Sequence, residues 1–274
     1  MTELVTVHIE NHVADVRLNR AEKMNALNVA MFETITRVGK ELARNKDVRA
    51  VVLSGEGRGF CAGLDLANFT DPDFSAEPFG PGRGGFYPNF YQLPGYVWKK
   101  MPVPVICALH GVAYGGGFQI AMGADIRIAH PDSRLSVMEV KWGLIPDMST
   151  SQTLRDLVRI DVAKELTFSG RVVGASEALQ LGLVTSLNDN PRDAALAMAA
   201  SIAKRNPNAI TYAKYLLDTT WHGDEYAGLK AEERLQAKVL KTPNQIEAVM
   251  SEMEGRAADF APRDVTSFED ITLD

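Results

Sequence analysis

Alternation opens the chain. Val5, Val7 and Ile9 point to one side of an extended segment, Asn11-His12 interrupts it, and Val13-Ala14-Asp15-Val16-Arg17-Leu18 resumes it. Two extended segments about a polar dipeptide predict a β-hairpin. The period then changes: Leu27, Met31, Ile35, Val38 and Leu42 recur every three or four residues and predict a helix with one apolar face. Residues 48–53 and 103–109 are short apolar runs of the kind buried strands show, and 125–129 and 135–137 predict further strands. Beyond residue 150, spacing and caps predict helices over 151–159, 161–168, 175–182, 191–204, 207–219, 226–241 and 243–258. Strands and helices first, helices alone afterwards, predict a mixed α/β core over 1–195 and a helical segment over 196–274.

Composition narrows the function classes. A chain of 274 residues, 46% apolar and 23% charged, can bury a core without disulfides and is not a disordered sequence. With 29 basic and 35 acidic residues the net charge is −6, which argues against a nucleic-acid surface and leaves room for a local basic pocket for a phosphorylated small molecule. Cys61 and Cys107 are too few for a disulfide scaffold and point to a reducing compartment. No apolar run reaches a membrane-spanning length, and the N-terminus lacks a signal-peptide layout. A cytoplasmic protein with no membrane contact is the expectation. The histidines at 8, 12, 110, 130 and 222 show no ligand spacing, so no metal is expected.

Residues 68–96 carry five of the 13 prolines and the aromatic cluster Phe86, Tyr87, Phe90, Tyr91. That composition predicts a long excursion with a short helix near its end, acting as a pocket wall. Within it, Gly80-Pro-Gly82-Arg-Gly-Gly85 fits G-x-G-x-x-G but neither follows a strand nor opens a helix, which excludes a dinucleotide site.

Chemistry concentrates elsewhere. Gly115-Gly116-Gly117 stands between a predicted strand and a predicted helix, so a ligand can approach bare backbone at the positive end of a helix. A second glycine loop, Phe60-Cys61-Ala62-Gly63-Leu64-Asp65, follows another predicted strand. Two such segments can supply the two N–H donors that an oxyanion hole needs.

With these loops the sequence resembles the crotonase, or enoyl-CoA hydratase/isomerase, superfamily. The resemblance is carried by Leu18-Asn-Arg-Ala-Glu-Lys-Met-Asn-Ala-Leu27, Arg58-Gly-Phe-Cys-Ala-Gly-Leu-Asp65, Ala124-Asp-Ile-Arg-Ile-Ala129, the stretch from Glu139 to Asp147, and Phe168-Ser-Gly-Arg171 through Val184. It implies a ClpP/crotonase-like α/β fold of repeated strand–strand–helix turns, with a C-terminal helical segment that assembles a homotrimer or a dimer of trimers. It implies an acyl-CoA thioester as substrate, in fatty-acid metabolism, with no separate cofactor. The thioester carbonyl is then expected between the N–H groups of Leu64 and Gly116. Arg20, Lys23, Ala62, Asp65 and Gly115 fall where the family holds CoA, and Phe86 and Phe90 where an acyl pocket would be lined. Arg256 and Arg263 are candidates for a CoA phosphate.

The acid/base set separates reactions within the family. Hydratases that the sequence resembles carry one glutamate directly after the glycine run and a second 20 residues later. Here those positions are Gln119 and Glu139. An amide can orient water but exchanges no proton near neutral pH. Asp147, eight residues beyond Glu139, matches the spacing of the dienoyl-CoA isomerase branch, although that branch has an acid where Gln119 stands. Isomerisation with Glu139 as base is therefore expected first, and hydration or acyl-CoA binding without turnover are the alternatives. Asp147 is either a second acid/base group or the cap of the helix that follows it.

Overall fold

The computed structural model describes residues 3–70 and 88–273. Strands β1 (Val5–Glu10) and β2 (Val13–Leu18) pair antiparallel from Val5 with Leu18 to Glu10 with Val13. Asn11 and His12 have φ of 48° and 68°, the left-handed pair that a two-residue hairpin turn requires. Helix α1 (Val29–Arg44) starts where the Asn28 side chain accepts from the Met31 N–H, and it buries Met31, Phe32, Ile35, Val38 and Leu42. The following β3 (Ala50–Gly55) lies parallel to β2.

Residues 71–87 lie outside the described part, and with them the G-x-G-x-x-G stretch, Phe86 and Tyr87. The chain is described again from Pro88, where α2 (Leu93–Lys99) packs on α1. Next, β4 (Val105–Leu109) joins β3 in parallel. Gly111, at φ 57°, then turns the chain out of this sheet. A Cβ there would stand 2.1 Å from the Arg58 carbonyl oxygen, so only glycine fits.

That turn leads into β5 (Val112–Tyr114), which belongs to a second sheet, and on into α3 (Gly116–Met122). Strand β6 (Ile126–Ala129) returns to the first sheet beside β4, and β7 (Arg134–Ser136) pairs with β5. Two short helices follow, α4 (Thr150–Thr153) and α5 (Ile160–Ser169), then β8 (Val173–Gly174), α6 (Ala175–Leu181) and β9 (Ser186–Leu187). The sheets run β1-β2-β3-β4-β6-β9 and β5-β7-β8.

The larger sheet is covered on both faces. Val51, Leu53, Val105 and Cys107 face the core with α1, whereas Ala50, Val52, Ile106 and Ala108 face Ala195, Ala199 and Ala203 of α7 (Pro191–Ala203). The boundary placed at 195 thus falls inside a helix packed on the sheet. Three more helices complete the chain: α8 (Pro207–Thr220), α9 (Glu225–Val239) and α10 (Pro243–Glu254). Tyr212, Leu235, Val239, Phe268 and Ile271 form a separate small core there. No described helix is long and apolar enough to cross a membrane.

Two expectations fail for identifiable reasons. The single helix over 151–159 is broken: Ser149 enters it at φ 70°, α4 lasts one turn, and a 3-10 turn at Leu154–Asp156 follows. The two C-terminal arginines do not await a phosphate. Arg256 is bound to Glu247 and Glu254, and Arg263 is buried, donating to the carbonyls of Ala43, Asn45 and Val265. Burial pushes the Arg263 guanidinium down to about 10. Replacing Arg263 by alanine leaves those carbonyls unpaired, so chemical denaturation should show a loss of about 3 kcal/mol.

Candidate active site

Two glycine segments are brought edge to edge by the second sheet. Cys61 N–H donates to Val112, and Tyr114 N–H donates back to Cys61, which ties the 61–65 loop to β5. On its other side the loop bridges Leu27: Leu27 N–H donates to Gly63, and Asp65 N–H donates to Leu27. In a parallel bridge of this kind the N–H of the intervening residue, Leu64, points away from Leu27. Gly63 sits at φ 91°, and a Cβ on it would lie 2.6 Å from the Tyr114 oxygen and 3.5 Å from Gly116 N. The two backbones therefore touch. Gly116 opens α3, so its N–H is an orphan of the first turn. Neither the Leu64 nor the Gly116 N–H has a partner among the described residues.

A cavity of about 340 Å³ opens in front of this pair. Leu64, Gly115, Gly116 and Glu139 line it together with Ala62 and Asp65; Leu66, Phe69, Trp142 and Leu144 form an apolar, partly exposed rim. Glu139 begins a 3-10 turn directly after β7 and is buried. The missing Cβ of Gly115 would stand 3.2 Å from Glu139 Oε1, so the first glycine of the run makes room for the carboxyl.

Gln119 fixes that carboxyl. Its Nε2 donates to Glu139 Oε1 at 2.5 Å, while its Oε1 accepts from Met148 N at 2.7 Å and from Thr150 Oγ1 at 2.5 Å. Because a backbone N–H can only donate, the amide orientation is determined. Glu139 Oε2 is left buried without a partner among the described residues. Burial, reinforced by the nearby Asp147 charge, pushes Glu139 up to about 7 even though its hydrogen bonds favour the carboxylate. Asp147 is half-buried and also raised by burial. It makes no side-chain cap on α4, whose N-cap is Ser149.

Other residues fall into supporting positions. Arg20 binds Asp65 at 2.6 Å and the Ala26 carbonyl at 2.9 Å, which holds Asp65 below the usual carboxylate range. Lys23 is exposed on the neighbouring turn. Phe90 stacks on Phe32 of α1 at 5.8 Å and touches Tyr91; it anchors the excursion and does not line the cavity. Cys61 is fully buried, its thiol pushed up to about 12, which removes it as a nucleophile.

Sequence reasoning missed Asn25. At φ 56° and fully buried, its Nδ2 donates towards the Glu56, Gly59 and Phe60 carbonyls and its Oδ1 accepts from Arg20 N–H. It thereby staples the 20–27 turn to the glycine loop. The signal available was the polar Asn25 inside an otherwise apolar Met24–Leu27 stretch.

Comparison with known proteins places the chain in a family. A family model described as enoyl-CoA hydratase/isomerase matches residues 8–263. The mitochondrial Delta(3,5)-Delta(2,4)-dienoyl-CoA isomerase of Mus musculus is 33% identical over 255 residues, 90% of this chain and 78% of that one. A probable enoyl-CoA hydratase of Mycobacterium tuberculosis is 29% identical over 266 residues, 95% of this chain and 99% of that one. Among solved structures, an enoyl-CoA hydratase from Bacillus anthracis superposes with a TM-score of 0.85 at 28% identity, covering 94% of this chain and 99% of that one. A putative enoyl-CoA hydratase from Streptomyces coelicolor A3(2) also reaches 0.85, at 30% identity and 95% of each chain. The crotonase fold and a match along nearly the whole sequence give one conclusion: the chain belongs to the enoyl-CoA hydratase/isomerase family.

Proposed function

We propose that the protein isomerises the double bond of an enoyl- or dienoyl-CoA through a thioester enolate, with Glu139 as the base. The observation that carries this reading is the state of the carboxyls lining the cavity. Asp65 is bound to Arg20 and held ionised, whereas Glu139, raised to about 7, exchanges its proton near neutral pH. Gln119 is committed at both ends of its amide and has no proton to give.

The chemistry follows from these positions. The thioester oxygen sits between the Leu64 and Gly116 N–H groups, whose fixed dipoles stabilise the charge that develops when a substrate proton leaves. Glu139 Oε2, the free oxygen, takes that proton and returns it to another carbon of the same substrate. Asp147, which acts on Glu139 through its charge, serves the far end of a conjugated system. Arg20 holds Asp65 at the CoA side of the cavity, and Lys23, exposed beside it, meets a CoA phosphate.

Hydration needs a water positioned and a proton delivered at adjacent carbons by separate groups; beside Glu139 stands the Gln119 amide, and Asp147 is assigned to the far end of the acyl system, so neither supplies the second group there. The test is purified protein assayed on 3-enoyl-, 3,5-dienoyl- and 2-enoyl-CoA. The first two should turn over, with hydration of the third slower by about 10²-fold or more. Fast hydration of crotonyl-CoA that survives Glu139→Gln would overturn the proposal. Gln119→Glu should raise hydration of 2-enoyl-CoA and move the Glu139 titration to higher pH, because two adjacent carboxyls share a proton. Product analysis by mass, together with a pH profile, checks both effects.

A further inference from the structure

We propose that Thr150 is a positioning residue for Glu139: its hydroxyl, with the Met148 N–H, clamps the Gln119 amide so that N–H and not C=O faces the Glu139 carboxyl. The proposal rests on Glu139 being the base. Gln119 Oε1 has two lone pairs, and they are used by Met148 N at 2.7 Å and Thr150 Oγ1 at 2.5 Å. Met148 and Thr150, 29 and 31 positions beyond Gln119, thus converge on one oxygen. The turn that aims them is unusual: Ser149 between them has φ 70°, and Gly95 of α2 presses on it so closely that a Cβ would stand 2.6 Å from the Met148 oxygen. Gln119 and Thr150 are both buried.

A chain of donors runs from Thr150 O–H through the amide to Glu139 Oε1. Each link polarises the next, and the last favours the carboxylate. Without the hydroxyl the amide is less polarised, and rotation becomes easier. A rotated amide would offer C=O, to which only protonated Glu139 can bond. Loss of Thr150 must therefore move the Glu139 titration upward. Among the described residues, three other ionisable groups face or flank Glu139, and Asp147, in the same turn as Met148 and Thr150, is the one whose charge raises it. Asp65 is tied to Arg20 across the cavity, and Lys141, on the same turn as Glu139, is exposed.

The experiment compares Thr150→Val and Thr150→Ala with Thr150→Ser in the pH profile of kcat/KM. The two variants without a hydroxyl should shift the midpoint of the ascending limb up by about half a pH unit. That shift appears as roughly threefold slower turnover at pH 6, vanishing by pH 9, and Thr150→Ser should keep the original midpoint. A uniform loss at every pH, or a shift that serine does not rescue, overturns the proposal. A second measurement needs no substrate: the pH dependence of the thermal-stability difference made by Glu139→Gln, with and without Thr150→Val. Its midpoint must move with Thr150. If it moves while kcat/KM shows no such limb, the clamp stands and Glu139 is not the base; if it stays fixed, the clamp is wrong.

Discussion

Replacing Glu139 by glutamine should lower kcat/KM for double-bond isomerisation by about 10³–10⁴-fold, the upper range for loss of a single acid/base group. Among the described residues lining the cavity the other carboxyl, Asp65, is paired with Arg20; Gln119 behind Glu139 carries no exchangeable proton, and Asp147, assigned to the far end of the acyl system, does not line the cavity. In the unmodified enzyme log kcat/KM should rise with pH up to about 7 and then level, because the base acts in its ionised form. The same substitution should stabilise the fold. Burial raises Glu139 from 4.5 to about 7, so the folded state holds its proton more tightly than the unfolded chain. The stability contributed by the neutral carboxyl is complete below 4.5 and is lost as pH rises to about 7. At pH 8 the ionised group costs about 3 kcal/mol, which Glu139→Gln removes. Thermal melts at pH 8 and pH 4.5 should show the gain at the higher pH only. An active site that destabilises its own fold at working pH is the expected trade for a base poised near neutrality.

The second large effect concerns backbone. Gly63→Ala should reduce kcat by about 10²–10³-fold, with a smaller change in KM, since an oxyanion hole binds the transition state better than the substrate. At φ 91° an alanine is strained, and its Cβ would meet the Tyr114 oxygen at 2.6 Å. That oxygen belongs to the main chain of β5, which is paired with β7, so the 61–65 loop has to move. Leu64 N–H moves with it, away from Gly116. Steady-state kinetics alongside a circular dichroism melt would separate this effect from unfolding. Gly116→Ala makes a useful contrast, because the atoms nearest its Cβ would be the ends of the Leu27 and Met148 side chains, which can shift.

Much of this was legible in the amino-acid order because it is local. The Asn11-His12 hairpin, the apolar face of α1 and the β3 and β4 runs each declare themselves within a dozen residues. The two glycine loops were legible as bare backbone after predicted strands, whereas Glu139 was legible only through the resemblance to the family, which places a glutamate 20 residues beyond the position of Gln119. What escaped is non-local or short. Strands of two or three residues such as β5, β8 and β9 have too few positions to show a period. The division into two sheets depends on Gly111 meeting the Arg58 carbonyl, a contact between segments far apart in sequence. The clamp on Gln119 joins helix α3 to the Met148–Thr150 turn, which lies just before the helix expected from residue 151 and carries no local signal of its own. Phe90 reads equally well as pocket wall or anchor until Phe32 is found beneath it.

The central claim is geometric: one thioester oxygen received by two main-chain nitrogens, with a single free carboxylate oxygen over the adjacent carbons. A crystal structure with a bound, slowly reacting 3-enoyl-CoA analogue tests it most directly. The account predicts the carbonyl oxygen about 3 Å from the nitrogens of both Leu64 and Gly116, and Glu139 Oε2 facing the carbon that loses its proton. A thioester lying elsewhere in the cleft, or Glu139 turned from the acyl chain, would contradict it.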